Sequence, residues 1–206
     1  MPKSSNREYR RIDVHAMEVR EEQDGRMVVE GYATTFNQRY VLCDWGDLVI
    51  DEEIDPQAFN DTDMSDVIMQ YDHEGRVFAR TKNDTLVLNV DNHGLHVRAY
   101  LDGTDIGRQL YQEIRGGYTD KMSFGFTVGS DIRSEETKDG KNYIHRRITG
   151  IKKLYDVSAV SIPANDTTEI SARSYCDGVI AELEAERLAA VQRARILLKI
   201  RLIKEE

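Results

Sequence analysis

The chain has 206 residues, with 28 basic against 37 acidic side chains and a net charge of −9. At 40% hydrophobic and 32% charged residues it is an ordinary globular composition, long enough to bury about two thirds of its unfolded surface without staples. The acidic surplus argues against a surface built to grip phosphate backbones. Cys43 and Cys176 are too far apart for a metal knuckle or a Cys-x-x-Cys pair, and two cysteines make no dense disulfide framework. Met1 to Arg7 lacks the apolar run of a signal peptide, and no stretch reaches the ~18 apolar residues of a membrane span. The expectation is a soluble cytosolic protein without a cofactor.

Short strand-like runs fill the first 165 residues. Ile12 to Ala16 and Met27 to Phe36 carry the alternation and β-branched content of half-buried strands. A short turn at Asp55-Pro56 should carry Ala58 and Phe59 inward, and Val67 to Tyr71 reads as the next strand. Thr85 to Val90 and Leu95 to Leu101 flank Asp91-Asn92-His93-Gly94, a hairpin signature. Thr104 can cap a helix from about Asp105 to Arg115, with Ile106, Leu110 and Ile114 on one stripe and Gly116-Gly117 at its end. Further strands are expected at Lys121 to Val128, Tyr143 to Ile151 and Leu154 to Ile162. A charged loop from Asp131, tipped by Asp139-Gly140-Lys141-Asn142, should separate the first two. Seven or eight short strands so punctuated suggest a barrel or sandwich.

From Val179 to Glu206 the chain has no Gly or Pro, and acidic Glu182, Glu184 and Glu186 precede basic Arg193, Arg195, Lys199 and Arg201. That order suits a helix dipole. Ile196, Leu197, Leu198, Ile200, Leu202 and Ile203 make its second half apolar on several faces, so it should pack on the domain, a partner or another copy.

Among the motifs tied to known chemistries, the sequence has no Walker-type loop, no G-x-G-x-x-G, no His-Glu-x-x-His and no G-x-S-x-G elbow. Asp61, Asp63 and Asp66 lack the Gly and terminal Glu of a calcium loop and read as a solvated acidic turn. Five histidines could do acid–base work. His15, His93, His96 and His145 fall on strands, a turn or a charged hairpin. His73 stands where an apolar strand opens into Glu74-Gly75-Arg76, a position from which a rigid scaffold presents side chains. Ser123, in Met122-Ser123-Phe124-Gly125-Phe126, is either a core serine bonded to backbone or a nucleophile that needs an imidazole within about 3 Å. Asp156 interrupts an apolar strand, and its carboxylate would need a cationic or hydrogen-bonding partner unless it turns outward.

These residues are also where the chain resembles a known family. Gly31-Tyr32-Ala33-Thr34-Thr35-Phe36, Ile54 to Phe59, His73-Glu74-Gly75-Arg76 and the Asp91 to Leu95 hairpin occur in a familiar order. They are followed by Met122 to Phe126 and by Asp156-Val157-Ser158-x-Val160-Ser161-x-Pro163-Ala164-Asn165. Together they resemble the prohead (capsid maturation) serine proteases of tailed bacteriophages, distant relatives of the herpesvirus assemblins, over roughly residues 10 to 172. The matching stretch, with the helix that composition places C-terminal to it, divides the chain into a disordered N-terminus (1–9), a protease domain (10–172) and a C-terminal helical extension (173–206) that packs, tethers to scaffold or is self-cleaved. The resemblance implies a mainly β fold with flanking helices, a closed β-barrel of about seven strands. It implies Ser123 as nucleophile, His73 as general base and Asp156 as third member. It also makes the N–H of Ala164 an oxyanion donor, with Asn165 positioning it or a water. The implied partners are the phage scaffolding protein and the major capsid protein, with a homodimer as a possibility, inside the immature capsid in the host cytoplasm. No nucleic acid or membrane is implied. The competing expectations are an inactive β-barrel that binds scaffold or capsid, and a small-molecule esterase or amidase using the same triad.

Overall fold

A computed structural model of the chain describes residues 7–12, 17–160 and 166–204. Chain order runs β1 (Glu8–Ile12), β2 (Glu18–Glu21), β3 (Met27–Thr35), β4 (Tyr40–Asp44), β5 (Leu48–Ile54), β6 (Ile68–Tyr71) and β7 (Glu74–Arg80). A 3-10 turn over Thr81–Asn83 leads to β8 (Leu86–Val90), β9 (Gly94–Tyr100), α1 (Asp105–Arg115), β10 (Lys121–Lys138), β11 (Lys141–Val160) and α2 (Asp166–Lys204). Among the described residues pairing begins at Glu8, inside the N-terminal stretch expected to lack order.

Two sheets face a shared core. The larger runs β1-β10-β11-β5-β4, with β6 pairing β11 and β7 pairing β6; the smaller runs β2-β3-β9-β8. Neither closes on itself, so the expected barrel is not formed among the described residues. The seven-stranded sheet ends instead at β1, β4 and β7, and the smaller one at β2 and β8. A strand count cannot reveal closure, because closure depends on which end strands meet. Here α2 lies against β1 and β4, where a barrel would need strand pairing. Phe124, Phe126, Met69, Leu95, Val97, Leu110, Tyr111 and Leu154 all lie in the common core.

β11 is the spine. One of its edges pairs antiparallel with β10 along the length of both strands. Its other edge pairs parallel with β5 over residues 142–148 and then with β6 over residues 156–159. Four register irregularities in β10 between Gly125 and Asp131 supply the extra bend and twist such a long hairpin needs. The charged loop expected from Asp131 is therefore strand. Its turn is only Asp139 and Gly140, both at positive φ (52° and 77°), the two-residue geometry whose twist matches flanking strands.

α1 follows its sequence signals: Thr104 Oγ1 accepts from the N–H of Gly107, and Leu110, Tyr111 and Ile114 are buried. α2 begins at Asp166, well before Val179, although Gly178 sits inside it and such a glycine costs about 1 kcal/mol against alanine. Tertiary contact overrides that penalty, because Cys176 and Val179 are buried against Ile50 and Ile144. The side chains from Ile196 to Ile203 lie outside the described residues. Among those described, no helix is long and apolar enough to cross a membrane.

A disulfide joins Cys43 on β4 to Cys176 on α2 across 133 positions, so the two cysteines that showed no pairing motif in the sequence are partners. Closing so long a loop restricts the unfolded chain, so replacing both by serine should cost about 2–4 kcal/mol in denaturant unfolding. Thiol titration of the unreduced, denatured protein should find no free cysteine.

Candidate active site

β11 fixes the carboxylate, and its two neighbours deliver the other groups. Asp156 is fully buried at the position paired with Ile68 of β6 and Gly125 of β10. Ser123 lies two residues before Gly125, on the same face of β10, opposite Ser158. His73 and Asp72 form the two-residue turn between β6 and β7, both at positive φ (61° and 48°). Aspartate and histidine tolerate that conformation better than most residues. The turn is docked, because the Asp72 N–H donates to the carbonyl of Ala159 on β11 at 2.9 Å.

The three side chains meet. His73 Nδ1 lies 2.5 Å from Asp156 Oδ2, and His73 Nε2 lies 2.6 Å from Ser123 Oγ. With the carboxylate on one nitrogen, Nδ1 carries the proton and Nε2 accepts from the hydroxyl. Ser123 Oγ also lies 2.9 Å from the carbonyl oxygen of Arg10, so its single proton has two acceptors. Ala164 and Asn165 lie outside the described residues.

Three further residues complete the surroundings of the carboxylate. Ser158 Oγ donates to Asp156 Oδ2 at 2.8 Å, and the Arg7 guanidinium forms an ion pair with Oδ1. Gly125 makes the space: a Cβ there would overlap Asp156 Oδ1 and crowd Arg7 and Tyr9. Ser158 and Gly125 had a visible signal, since Asp156-x-Ser158 and Ser123-x-Gly125 each put two residues on one strand face. Arg7 had none, because its contact depends on how β1 docks.

The remaining described histidines go elsewhere. His145 Nδ1 lies 2.8 Å from Asp51, His96 Nε2 lies 3.6 Å from Glu30, and His93 stacks edge-on against Tyr32. His15 lies outside the described residues. Among the described residues, no group of three or more His, Cys, Asp or Glu side chains could hold a metal ion.

A model of the caudovirus prohead serine protease family matches residues 15–178. The chain belongs to that family. No curated protein matches it. Among solved structures, the capsid assembly protease of bacteriophage T4 aligns with 12% identity over 75% of this chain and 96% of that one, at a TM-score of 0.40.

In this prohead serine protease family member the His73 imidazole is held in its neutral form. Burial, and after it the Arg7 cation, push the His73 imidazole down from 6.5 to about 4. A depressed pKa means the folded state binds fewer protons than the unfolded one, so this group's stabilising effect is lost as pH falls from about 6.5 through 4. Arg7→Gln removes the repelling cation, and the His73 ring signals should then titrate at higher pH than in the parent. An unchanged midpoint would show that burial alone sets the value. Gly125→Ala should cost about 1–3 kcal/mol by overpacking and should shift the His73 ring resonances, because the carboxylate it touches must move.

Proposed function

We propose that the chain is a serine endopeptidase of capsid maturation in which Ser123 is the nucleophile, His73 the general base and Asp156 the group that orients and compensates the imidazole. The observation that carries this reading is the unbroken relay from Asp156 Oδ2 through His73 to Ser123 Oγ, with links of 2.5 and 2.6 Å. Compensating the buried carboxylate needs only the Nδ1–H, whereas Nε2 also meets Ser123 Oγ, and this weighs against an inactive, purely scaffold-binding protein.

His73 Nε2 takes the hydroxyl proton as Oγ attacks the carbonyl carbon of a peptide bond. Asp156 holds Nδ1–H, fixes the tautomer and stabilises the imidazolium that forms. When the tetrahedral intermediate collapses, the carbon–nitrogen bond breaks and His73 passes the proton to the leaving amine. A water then enters, gives its proton to His73 and hydrolyses the ester. Ala164 and Asn165 are the sequence-based candidates for the backbone donors that hold the oxyanion, a contribution of about 3–4 kcal/mol for one donor. A recess of about 400 Å³ between the β6–β7 hairpin and α1, lined by Tyr71, Phe78, Ile106, Leu110, Glu74 and Glu113, adjoins the hairpin that carries His73 and is the candidate room for a substrate side chain.

Membership of the prohead protease family supports a role in cleaving the scaffolding protein or the scaffold-like arm of the major capsid protein, and the chain itself, inside the immature capsid. The domain reading goes with it, a protease domain up to about residue 172 followed by a helical extension that can tether the enzyme or be trimmed away.

Wild-type protein and Ser123→Ala, incubated side by side at high concentration and followed by intact mass, test the assignment. Discrete truncation in the wild type only is expected, and equal truncation in both removes Ser123 from the reaction. On a scaffold-derived peptide, Ser123→Ala and His73→Ala should each lower kcat by at least ~10⁴.

A further inference from the structure

Ser123 is 1% exposed and the His73 side chain 2%, an odd state for groups that must meet another polypeptide. One short segment closes the site. β1 lies antiparallel on β10 with Arg10 opposite Phe124, Arg11 opposite Ser123 and Ile12 opposite Met122. The Arg10 carbonyl oxygen accepts from Ser123 Oγ. The Tyr9 ring stands edge-on to His73 at 4.5 Å. Arg7 reaches Asp156 while its guanidinium lies over the rings of Tyr9 and Tyr155 at 5.0 and 4.6 Å. Each member of the relay is therefore met by a different residue of the same segment. β1 is also the terminal strand of its sheet: without it, β10 would present an open edge beside the nucleophile.

We infer that this edge of β10, at residues 122–126, is the site that receives the main chain of an extended peptide substrate, and that residues 7–12 occupy it as a built-in substitute strand. The inference rests on the triad reading above. An open strand edge recruits an extended peptide through main-chain hydrogen bonds, and the register of β1 already brings a backbone carbonyl to Ser123. That carbonyl meets Oγ through its oxygen, as an acceptor, so it competes with Nε2 for the hydroxyl proton. Arg7 meanwhile takes up the negative charge that Asp156 would otherwise offer to an imidazolium. The segment is firmly moored. Glu8 and Arg10 belong to a buried cluster in which Arg10 Nε bonds Glu52 at 2.6 Å and Arg146 bonds both Glu8 and Glu52, at 2.9 and 2.7 Å. A tethered strand competes at an effective concentration on the order of millimolar, so substrate must displace it at high local concentration or after it is cut.

The rate at which a small fluorophosphonate labels Ser123, read by peptide mass, measures access: the Oγ–P bond forms, fluoride leaves and His73 takes the proton. The full chain is compared with a chain lacking residues 1–12, and with the full-length double variant Arg7→Ala and Tyr9→Ala, which keeps the Glu8 and Arg10 mooring. Both altered forms should label at least tenfold faster, and a synthetic peptide of residues 7–12 at millimolar concentration should slow the shortened chain again. Equal rates, with Ser123 still labelled, overturn the substitute-strand assignment and leave the triad standing. No labelling of Ser123 in any folded form overturns the triad reading, and the strand assignment falls with it. If the shortened chain does not fold, hydrogen exchange on the full chain decides. Occupation of Ser123 by a peptidyl phosphonate should strip protection from the amides of residues 8–12, and retained protection overturns the inference.

Discussion

A carboxylate with no solvent contact must be compensated from every side, and Asp156 imposes that demand on the centre of this fold. An ion of that size left unpaired would be destabilising by several kcal/mol. The chain answers with an imidazole N–H and a serine hydroxyl on one oxygen and a guanidinium on the other. Each donor arrives on a different strand relation to β11: His73 from the parallel neighbour β6, Ser158 from two residues along β11 itself, Arg7 from the far side of β10. Gly125 gives up its side chain so that the carboxylate has somewhere to be. The geometry of the site and the cost of burying Asp156 are thus one problem, because the imidazole whose Nδ1–H helps to compensate the carboxylate is also the one whose Nε2 meets Ser123 Oγ.

A second buried cluster does a different job. Glu52 loses hydration by burial, but Arg10 and Arg146 outweigh that loss and hold its pKa down; Arg10 in turn is held charged, against burial, by Glu52 and Glu8. The members come from β1, β5 and β11, so the cluster sets which strands are neighbours where an all-apolar interface would tolerate slippage. Tyr40 of β4 donates to Glu52 at 2.5 Å and Arg146 bonds Asp131 of β10 at 2.8 Å, extending the tie across the sheet. Cys43 and Cys176 then fasten α2 to β4, so that the sheet edges at β1 and β4 are covered by helix where a barrel would have paired them.

Local order is legible in the sequence wherever one residue type forces one conformation. Thr104 before the Ile106, Leu110, Ile114 stripe specifies α1, and Asp91 to Gly94 specifies a hairpin. Asp139-Gly140 reads as a turn, but the charged residues before it disguise strand as loop, since an exposed two-stranded ribbon carries no hydrophobic alternation. Closure, the Cys43–Cys176 pair and the docking of Arg7 are not legible, because each depends on which distant segments become neighbours. Of the site, His73, Ser123 and Asp156 can be picked out individually as side chains in unusual settings. That they meet cannot be read from spacing, and Ala164 and Asn165 lie beyond the described residues.

The order His73, Ser123, Asp156 along the chain becomes one line in space through the polarity of the strands. β10 runs antiparallel to β11 and places Ser123 two positions from the residue facing Asp156. β6 runs parallel to β11, so its end, and therefore its turn, lies past Asp156 near Ala159. The imidazole must then reach back from the turn to the carboxylate and across to the hydroxyl. A histidine on the strand itself would project perpendicular to the sheet, whereas from the docked turn the ring meets both Asp156 Oδ2 and Ser123 Oγ. The strained conformation of Asp72 and His73, on the order of 1 kcal/mol each, is in that view the geometric condition for a parallel strand to supply the imidazole, and the Asp72 N–H on Ala159 is what holds it in place.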